Sequence, residues 1–193
     1  PCGVASANTI EQAFNKAYKS DSKSAFGGIV LLNKKITEKL AKKINRYFFE
    51  VIVSPNYNKK TLEILKQKKN LIILKIDNQI KIKRQFRSTI FGTLYQDKDL
   101  DKINKNFIKP ITTMPISKKI YEDLLFCIKV VKHLKSNAIV LVKDQQTIGI
   151  GAGQTNRVDS LNIALKNSKE NFELKNFVCG SDGFFPFTDS VKI

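Results

Sequence analysis

The feature of this sequence that most limits its fold is a regular alternation of extended and helical segments between residues 28 and 74. Three short apolar runs predict buried strands, and two amphipathic segments between them predict helices. The predicted strands are 28–32, 48–53 and 71–74, and the predicted helices are 36–46 and 59–68. Because strands joined by helices usually pair in parallel, we expect an α/β fold with a largely parallel or mixed sheet flanked by helices.

A polar stretch rich in Asp, Lys and Asn separates this region from the rest of the chain. It follows an extended piece at 89–95 and ends at 109–113, in the sequence Lys-Pro-Ile-Thr-Thr. Such stretches often mark boundaries, so we predict one lobe at 1–112 and a second at 113–193. In the second lobe, Ser117 predicts the start of a helix that runs to Ser136 and Asn137. A strand pair is predicted at 138–142 and 147–150.

Charge is the most unusual property of the composition, with a formal net charge of +17 over 193 residues. A positive field attracts phosphate-bearing ligands, nucleic acid or acidic membrane surfaces. Only four of the 34 basic residues are Arg, however, whereas nucleic-acid surfaces usually combine Arg with stacking aromatics. We therefore favour a solvated lysine-rich surface and keep a non-catalytic basic module, which binds nucleic acid or phosphate, as the alternative function.

Membrane and metal signals are weak in this sequence. No stretch reaches the roughly 20 apolar residues of a membrane helix, and the start resembles no signal peptide, which predicts a cytoplasmic protein with no membrane partner. Cys2, Cys127 and Cys179 lack metal-site spacing, and His133 is the only histidine. We therefore predict no metal, and interpret His133 as a structural helix-end residue rather than a general base. The absence of an initial Met predicts a piece of a longer protein.

Two glycine-containing loops lie beside predicted strands. Residues 24–28 precede the first strand, and residues 149–153 lead towards a helix that begins near Arg157. Glycines let a ligand approach the backbone, and a helix start favours anions, but the spacing matches neither the dinucleotide fingerprint nor a P-loop. Each loop is either a ligand cradle or a structural turn. Arg157 either holds an anion or pairs with Asp159 or another carboxylate.

A phenylalanine-rich segment at 180–190 places three Phe around a Pro, next to two Asp. Its rings either sandwich a flat heterocycle or form a hydrophobic corner.

Taken in order, these segments resemble the bifunctional purine biosynthesis family. The resembling segments are PCGVA at 1–5, DSKSAFGG at 21–28, FEVIV at 49–53, KHLKSNAIV at 132–140, GIGAGQ at 149–154, RVDS at 157–160 and SDGFFPF at 181–187. They fall in the family's AICAR transformylase domain, and nothing corresponds to its IMP cyclohydrolase domain. The resemblance implies two cytidine-deaminase-like lobes without zinc, and an intertwined homodimer whose active sites are shared between subunits.

The activity that the resemblance implies is transfer of a formyl group from 10-formyltetrahydrofolate to the ring amine of AICAR. That amine is a poor nucleophile, so the site must orient it, remove a proton and stabilise an oxyanion. In the family a Lys-His pair just before the Pro-Cys-Gly segment does much of this, and His133 does not replace it. Since the chain starts at Pro1 and stops at Ile193, before a further substrate-binding segment of the family, we expect it to be inactive alone.

The resemblance also assigns roles to individual residues. Asn137 is the implied catalytic residue, because it matches the family asparagine that helps hold the formyl oxygen and the proton-transfer network. Its amide can donate to a developing oxyanion, as this chemistry requires. The implied AICAR-binding residues are Phe26, Gly27, Glu50, Arg157 and Phe184, and the implied folate-side contacts are Val158 and Pro186. Thr188 departs from the family pattern, which usually has Arg there. A third interpretation of the chain is a nonfunctional remnant.

Overall fold

The computed structural model describes residues 1–76, 83–100, 103, 110–111, 113 and 115–193. Their contacts divide the chain into two compact units, residues 1–75 with 116–193, and residues 76–115. The predicted lobe boundary falls at 109–113, where residues 109 and 112 lie outside the described residues. The division into lobes at 1–112 and 113–193 stays a prediction.

The first half of the larger unit contains the predicted strand–helix–strand–helix–strand run. The elements are β1 (Gly28–Leu31), α2 (Glu38–Ile44), β2 (Phe49–Ser54), α3 (Lys59–Leu65) and β3 (Ile72–Lys75), preceded by α1 (Ile10–Ser20). The strands form one parallel sheet in the order β1-β2-β3. The five predicted elements are confirmed, with shorter helices, whereas the sequence analysis missed α1.

The two faces of this parallel sheet differ sharply in burial. Val30 and Ile52 lie side by side in neighbouring strands and pack into the core below α2 and α3. On the opposite face, the adjacent row includes Leu31, which is 68% exposed, and Leu74, which is 48% exposed. Successive side chains of a strand point to opposite faces, so one face of the sheet is core and the other is an apolar surface.

The second half of the larger unit is built around a separate antiparallel sheet. Its elements are α4 (Lys118–Val131), β6 (Ile139–Lys143), β7 (Gln146–Gly151), α5 (Arg157–Lys169), β8 (Val178–Ser181) and α6 (Asp189–Lys192). The strand order is β7-β6-β8, and the central strand β6 is buried on both faces. Ile139 and Leu141 pack in the core that includes α5, whereas Val140 and Val142 pack in the core that includes α4.

The smaller unit contains a two-stranded antiparallel hairpin of β4 (Arg84–Thr89) and β5 (Gly92–Asp97). The single extended piece predicted at 89–95 is confirmed only from Gly92 onwards, where it is part of β5, because the chain turns at Ile90 and Phe91. The Thr89 hydroxyl accepts a hydrogen bond from the Phe91 amide at 3.3 Å and stabilises this turn.

The described residues therefore form an α/β protein with three small sheets flanked by helices, rather than one mixed sheet. The connections explain the difference. Helical crossovers between β1, β2 and β3 impose parallel pairing, whereas the two-residue turn between β6 and β7 permits only antiparallel pairing.

The extended chain before α1 and the end of that helix connect the two sheets of the larger unit. Ala5 forms a bridge with Gln146, and the Thr147 amide donates to the Val4 carbonyl at 2.9 Å. At the end of α1, the buried Ser20 hydroxyl donates to the Thr147 carbonyl at 2.5 Å. These three contacts hold β7 beside the amino-terminal segment and α1.

A buried carboxylate fixes the turn between β6 and β7. Asp144 and Gln145 have φ values of 53° and 52°, a left-handed conformation that is unfavourable for residues other than glycine. The carboxylate of Asp123, which is 4% exposed, accepts from the Asp144 amide at 3.0 Å and from the Gln145 amide at 2.6 Å. These two bonds offset the conformational cost of the turn.

Replacing Asp123 by alanine is expected to lower the free energy of unfolding by about 1–3 kcal/mol, because two turn amides lose their acceptor. Urea unfolding of the chain measures this. Glu122→Ala is the matched control on the same helix, since Glu122 forms an exposed ion pair with Lys118 at 4.0 Å and its loss should cost less than about 0.5 kcal/mol. Equal losses for the two variants would contradict the role of Asp123.

Candidate functional site

The residues assigned by resemblance lie in two clusters of the larger unit. We define the Asn137 cluster as Asn137, Arg157, Asp182 and Phe184, and the Phe26 cluster as Phe26, Gly27, Phe48 and Glu50. Within the part of the chain that the structure describes, no recorded hydrogen bond, ion pair or ring contact joins the two clusters.

The glycines of the second predicted loop allow close packing and a turn beside the Asn137 cluster. A Cβ on Gly149 would lie 2.2 Å from the Ala164 carbonyl oxygen, and one on Gly151 would lie 1.8 Å from that of Ser160. Both carbonyls belong to α5, so these glycines let α5 lie directly on β7. Gly153 has φ +73°, where glycine is favoured, and its amide donates to the Lys135 carbonyl at 2.7 Å. This geometry favours the structural-turn interpretation of the loop.

The loop ends at the first turn of α5, which Asn156 caps. The Asn156 side-chain oxygen accepts from the Asp159 amide at 2.8 Å. Asn156 also donates from its side-chain nitrogen to the Asp159 carboxylate at 2.6 Å. Arg157 therefore occupies the first helical position, as the sequence predicted, while Asp159 is engaged with the cap.

Arg157 forms an ion pair with Asp182, a carboxylate other than Asp159. Its Nη1 lies 2.6 Å from Asp182 Oδ1, and its Nε donates to the Phe184 carbonyl at 3.1 Å. The two charged side chains are only 15% and 19% exposed. Gly183 leaves room for the guanidinium, because a Cβ there would lie 2.8 Å from Nη2.

Asp182 is held as a carboxylate by its neighbours. Partial burial pushes its pKa upward, but hydrogen bonds from Ser136, Ala138 and Arg157, together with the charge of Arg157, leave the pKa below its ordinary value. A carboxyl with a lowered pKa stabilises the fold above the unfolded-state pKa and loses that contribution as the pH falls through the folded-state pKa. The ion pair is therefore intact at neutral pH.

Asn137 lies just before β6, facing the loop that leaves β7. Its side-chain nitrogen donates to the carbonyls of Gln154 and Thr155 at 3.0 and 3.1 Å. Its own carbonyl accepts from the Ser160 hydroxyl at 2.8 Å. Both amide hydrogens thus have partners in this structure, so donation to a ligand requires one of these bonds to exchange.

The Phe26 cluster lies where β1 and β2 begin. Gly27 has φ +68°, and its amide donates to the Phe48 carbonyl at 3.0 Å. A Cβ on Gly27 would lie 3.4 Å from the Phe48 ring and 3.7 Å from Glu50 Oε1. The rings of Phe26 and Phe48 are 5.0 Å apart and are 76% and 49% exposed. The cluster is a solvent-facing aromatic pair beside a carboxylate.

Phe48 and Asp182 belong to these clusters, although the sequence predicts neither as a site residue. The sequence predicts Phe48 only as the first residue of a strand, although an aromatic residue two positions before Glu50 is a usable signal. Asp182 was noted only as one of two Asp near the phenylalanines. No sequence signal identified Asp182 as the partner of Arg157.

The phenylalanine-rich segment does not form a buried corner. Phe184 is 81% exposed and Phe187 is 72% exposed, and Pro186 between them is also exposed. Val158, the other predicted folate-side residue, is half-buried in the first turn of α5. Thr188 precedes α6 without making a side-chain capping bond.

His133 is exposed and lies beyond the end of α4. The helix predicted to run to Ser136 and Asn137 instead ends at Val131, and the His133 amide donates to the Val130 carbonyl at 2.9 Å. The structure thus gives His133 a turn position, apart from both clusters.

Two cavities of the described residues are lined by other parts of the chain. One, of about 690 Å³, is polar and includes Lys16, Asp123 and Asp144; the other, of about 620 Å³, lies between the amino-terminal segment, α1 and β1. No residue assigned by resemblance lines either of them. Among the described residues there is no group of three or more side chains suited to a metal ion. Nor does any helix there have the length and apolar character needed to cross a membrane.

Comparison with known proteins gives these clusters a family context. The comparisons place the chain in a class of purine biosynthesis enzymes. The model of the AICARFT/IMPCHase bienzyme family matches residues 1–167, and the chain belongs to this family. The chain is also 45% identical over 195 aligned residues to the bifunctional purine biosynthesis protein PurH of Staphylococcus aureus strains Newman, JH1 and Mu50. The alignment covers 100% of this chain and 39% of the length of each relative.

Proposed function

We propose that this chain supplies the formyl-transfer part of its family's chemistry, in which 10-formyltetrahydrofolate donates a formyl group to AICAR during purine (IMP) biosynthesis. The observation that carries the proposal is the network of the Asn137 cluster. Asn137, Arg157 and Phe184 come from three separate motifs that lie side by side. Asp182 accepts from the amide of Ala138, the residue after Asn137, and pairs with Arg157, which donates to the Phe184 carbonyl. Such convergence is expected of residues that serve one ligand.

The proposed catalytic contribution of Asn137 is electrostatic. Attack of the AICAR amine on the formyl carbon creates a tetrahedral intermediate whose oxygen carries negative charge. A rigid amide donor at that oxygen stabilises the transition state more than the ground state. The bonds from Asn137 to the Gln154 and Thr155 carbonyls orient the amide group, and one of them is exchanged for the oxyanion.

The proposed AICAR contacts are divided between the clusters. Phe26, Gly27 and Glu50 provide an aromatic face, an accessible backbone and an acceptor for ring or ribose hydrogens. Phe184 offers an exposed ring for stacking on the imidazole. Arg157 uses two of its five N–H donors internally and retains others for the nucleotide.

The remaining features are proposed from the family resemblance. Val158 and Pro186 contact the folate, which is a cosubstrate, and no metal takes part. The lobes have a cytidine-deaminase-like fold, the enzyme is a cytoplasmic homodimer, and the IMP cyclohydrolase activity belongs to a different domain. In the family a Lys-His pair removes the proton from the amine.

The alternative, a basic module that binds nucleic acid, is favoured by one local feature. The β4–β5 hairpin brings Arg84 over the ring of Tyr95, 5.8 Å from its centroid, and Tyr95 stacks with Phe86. Arg84 is also paired with Asp97 at 3.5 Å, which reduces its value for a phosphate. Because Arg84 is engaged in this ion pair, the hairpin supports nucleic-acid binding less well than the Asn137 cluster supports formyl transfer.

Replacing Phe184 by alanine is expected to raise the KM for AICAR about five- to tenfold, because a stacked ring contributes on the order of 1 kcal/mol. The assay uses the complete enzyme, meaning the whole translation product of the gene that encodes this chain. Phe187→Ala is the matched control, since Phe187 is similarly exposed and has no assigned contact.

Binding of single-stranded RNA to the chain, measured at 50 and 200 mM salt, tests the alternative. Phosphate contacts would make RNA affinity fall steeply with salt. RNA binding of this kind, together with a complete enzyme that neither binds nor formylates AICAR, would overturn the proposed function.

A further inference from the structure

Asp182 stands at the centre of the contacts that join the proposed catalytic and substrate-binding residues. It follows directly after β8 and lies across from Ala138, the residue after Asn137. The Ala138 amide donates to Asp182 Oδ1 at 3.0 Å, and the Asp182 amide donates to the Ala138 carbonyl at 3.3 Å. The backbone beside Asn137 is therefore held by both the side chain and the main chain of Asp182.

The same Asp182 oxygen also fixes Arg157. Oδ1 accepts from Arg157 Nη1 at 2.6 Å, and the two side chains are 15% and 19% exposed. Charge-assisted hydrogen bonds in such a partly buried setting are stronger and more directional than those of an exposed ion pair. The guanidinium therefore has a defined position relative to β6.

Arg157 in turn fixes the backbone position of Phe184. Its Nε donates to the Phe184 carbonyl at 3.1 Å, which fixes the backbone from which the exposed ring projects. Gly183 permits the approach, because any side chain there would collide with the guanidinium. A chain of contacts thus runs from Asn137 through Ala138, Asp182 and Arg157 to Phe184.

We infer that Asp182 is a positioning residue, which sets the Asn137 amide and the Phe184 ring in the relative geometry that formyl transfer needs. The inference rests on the proposed function and deepens it. Asp182 itself has no role in touching the substrate. Its effect comes from the orientation of two groups that do, and small misplacements of such groups can reduce rates by up to about a hundredfold.

The first test is kinetic and uses the complete enzyme with Asp182→Asn, which keeps the shape and one acceptor but removes the charge. We expect kcat to fall about ten- to a hundredfold, with a smaller change in the KM for AICAR. Arg157→Met and the double variant should lose a similar amount in kcat, because all three break the same ion pair, and should in addition raise the KM for AICAR, because they also remove the proposed contact of Arg157 with the nucleotide. Asp159→Asn is the control, an exposed carboxylate near the start of the same helix.

The second test measures the position of the Asn137 side chain without an activity assay. In ¹H–¹⁵N spectra of the isotope-labelled 193-residue chain, the side-chain amide signals of Asn137 should shift in Asp182→Asn and stay in place in Asp159→Asn. If Asp182→Asn does not fold, Asp182→Glu and Arg157→Lys replace it. Both retain charge, and the altered side-chain length should still shift the Asn137 signals.

Different outcomes would overturn different claims. A wild-type complete enzyme that fails to formylate AICAR contradicts the proposed function. An active enzyme in which a folded Asp182→Asn keeps the wild-type kcat, or spectra in which the Asn137 signals do not move, contradicts the positioning role. A variant that is less stable but fully active would show that Asp182 only supports the fold, which also overturns the inference.

Discussion

Replacing Asn137 by alanine in the complete enzyme is expected to lower kcat for AICAR formylation by on the order of a hundredfold or more. Loss of one preorganised oxyanion donor typically has an effect of this size. Because the donor acts mainly in the transition state, kcat and kcat/KM should fall together while KM changes little. Steady-state kinetics with AICAR and 10-formyltetrahydrofolate measures both.

The control for this variant must separate chemistry from local folding, because the Asn137 amide also holds the loop at Gln154 and Thr155. Asn171→Ala removes an exposed amide beyond α5 and should leave kcat unchanged. Circular dichroism and the AICAR dissociation constant of Asn137→Ala should stay near those of the wild type. A normal kcat in this variant would exclude the proposed oxyanion contact.

Replacing Ile52 by alanine is expected to lower the free energy of unfolding by about 2–5 kcal/mol, because the side chain leaves a cavity in the core. Ile52 is fully buried in the central strand β2, with neighbours from both adjacent strands. Urea unfolding of the 193-residue chain measures the loss.

Leu31→Ala is the control for Ile52, from the exposed face of the same sheet. Leu31 is 68% exposed, so its truncation removes little buried surface and should cost less than about 1 kcal/mol. A loss for Leu31→Ala as large as that for Ile52→Ala would contradict the claim that one face of the sheet is buried and the other is exposed.

The parallel half of the fold was predictable because hydrophobic period and segment length indicate the same secondary structure. Leu40 and Ile44 share one face of α2, Ile36 lies just before that helix, and all three are buried. The strands on either side are short apolar runs, so hydrophobic period and length indicated the same elements. Only the predicted helices are longer than the observed ones, since the position of a helix end depends on capping rather than on hydrophobic period.

The missed elements had weaker or overlooked signals. Helix α1 begins after Thr9, whose hydroxyl accepts a hydrogen bond from the Gln12 amide at 3.2 Å. The Thr-x-x-Gln pattern matches a capping box. Strand β8 is four residues long and contains a glycine, so its local preference is weak. It forms because β6 offers it a partner edge, which only the tertiary structure supplies.

The candidate site was predictable at the level of motifs and not at the level of contacts. The resemblance placed Asn137, Arg157 and Phe184 in one site, but the residue that connects them, Asp182, depends on the pairing of β8 with β6. Likewise, Phe48 joins Phe26 only because β1 and β2 are neighbours in a parallel sheet. Long-range pairings of this kind leave no local sequence pattern.

The most direct measurement is a crystal structure of the complete enzyme with AICAR bound. The account predicts AICAR against Asn137, Arg157 and Phe184, with residues of the Phe26 cluster contacting the same molecule, from the same or the other subunit. AICAR bound instead in the polar cavity beside Asp123 and Asp144, with both clusters empty, would contradict it.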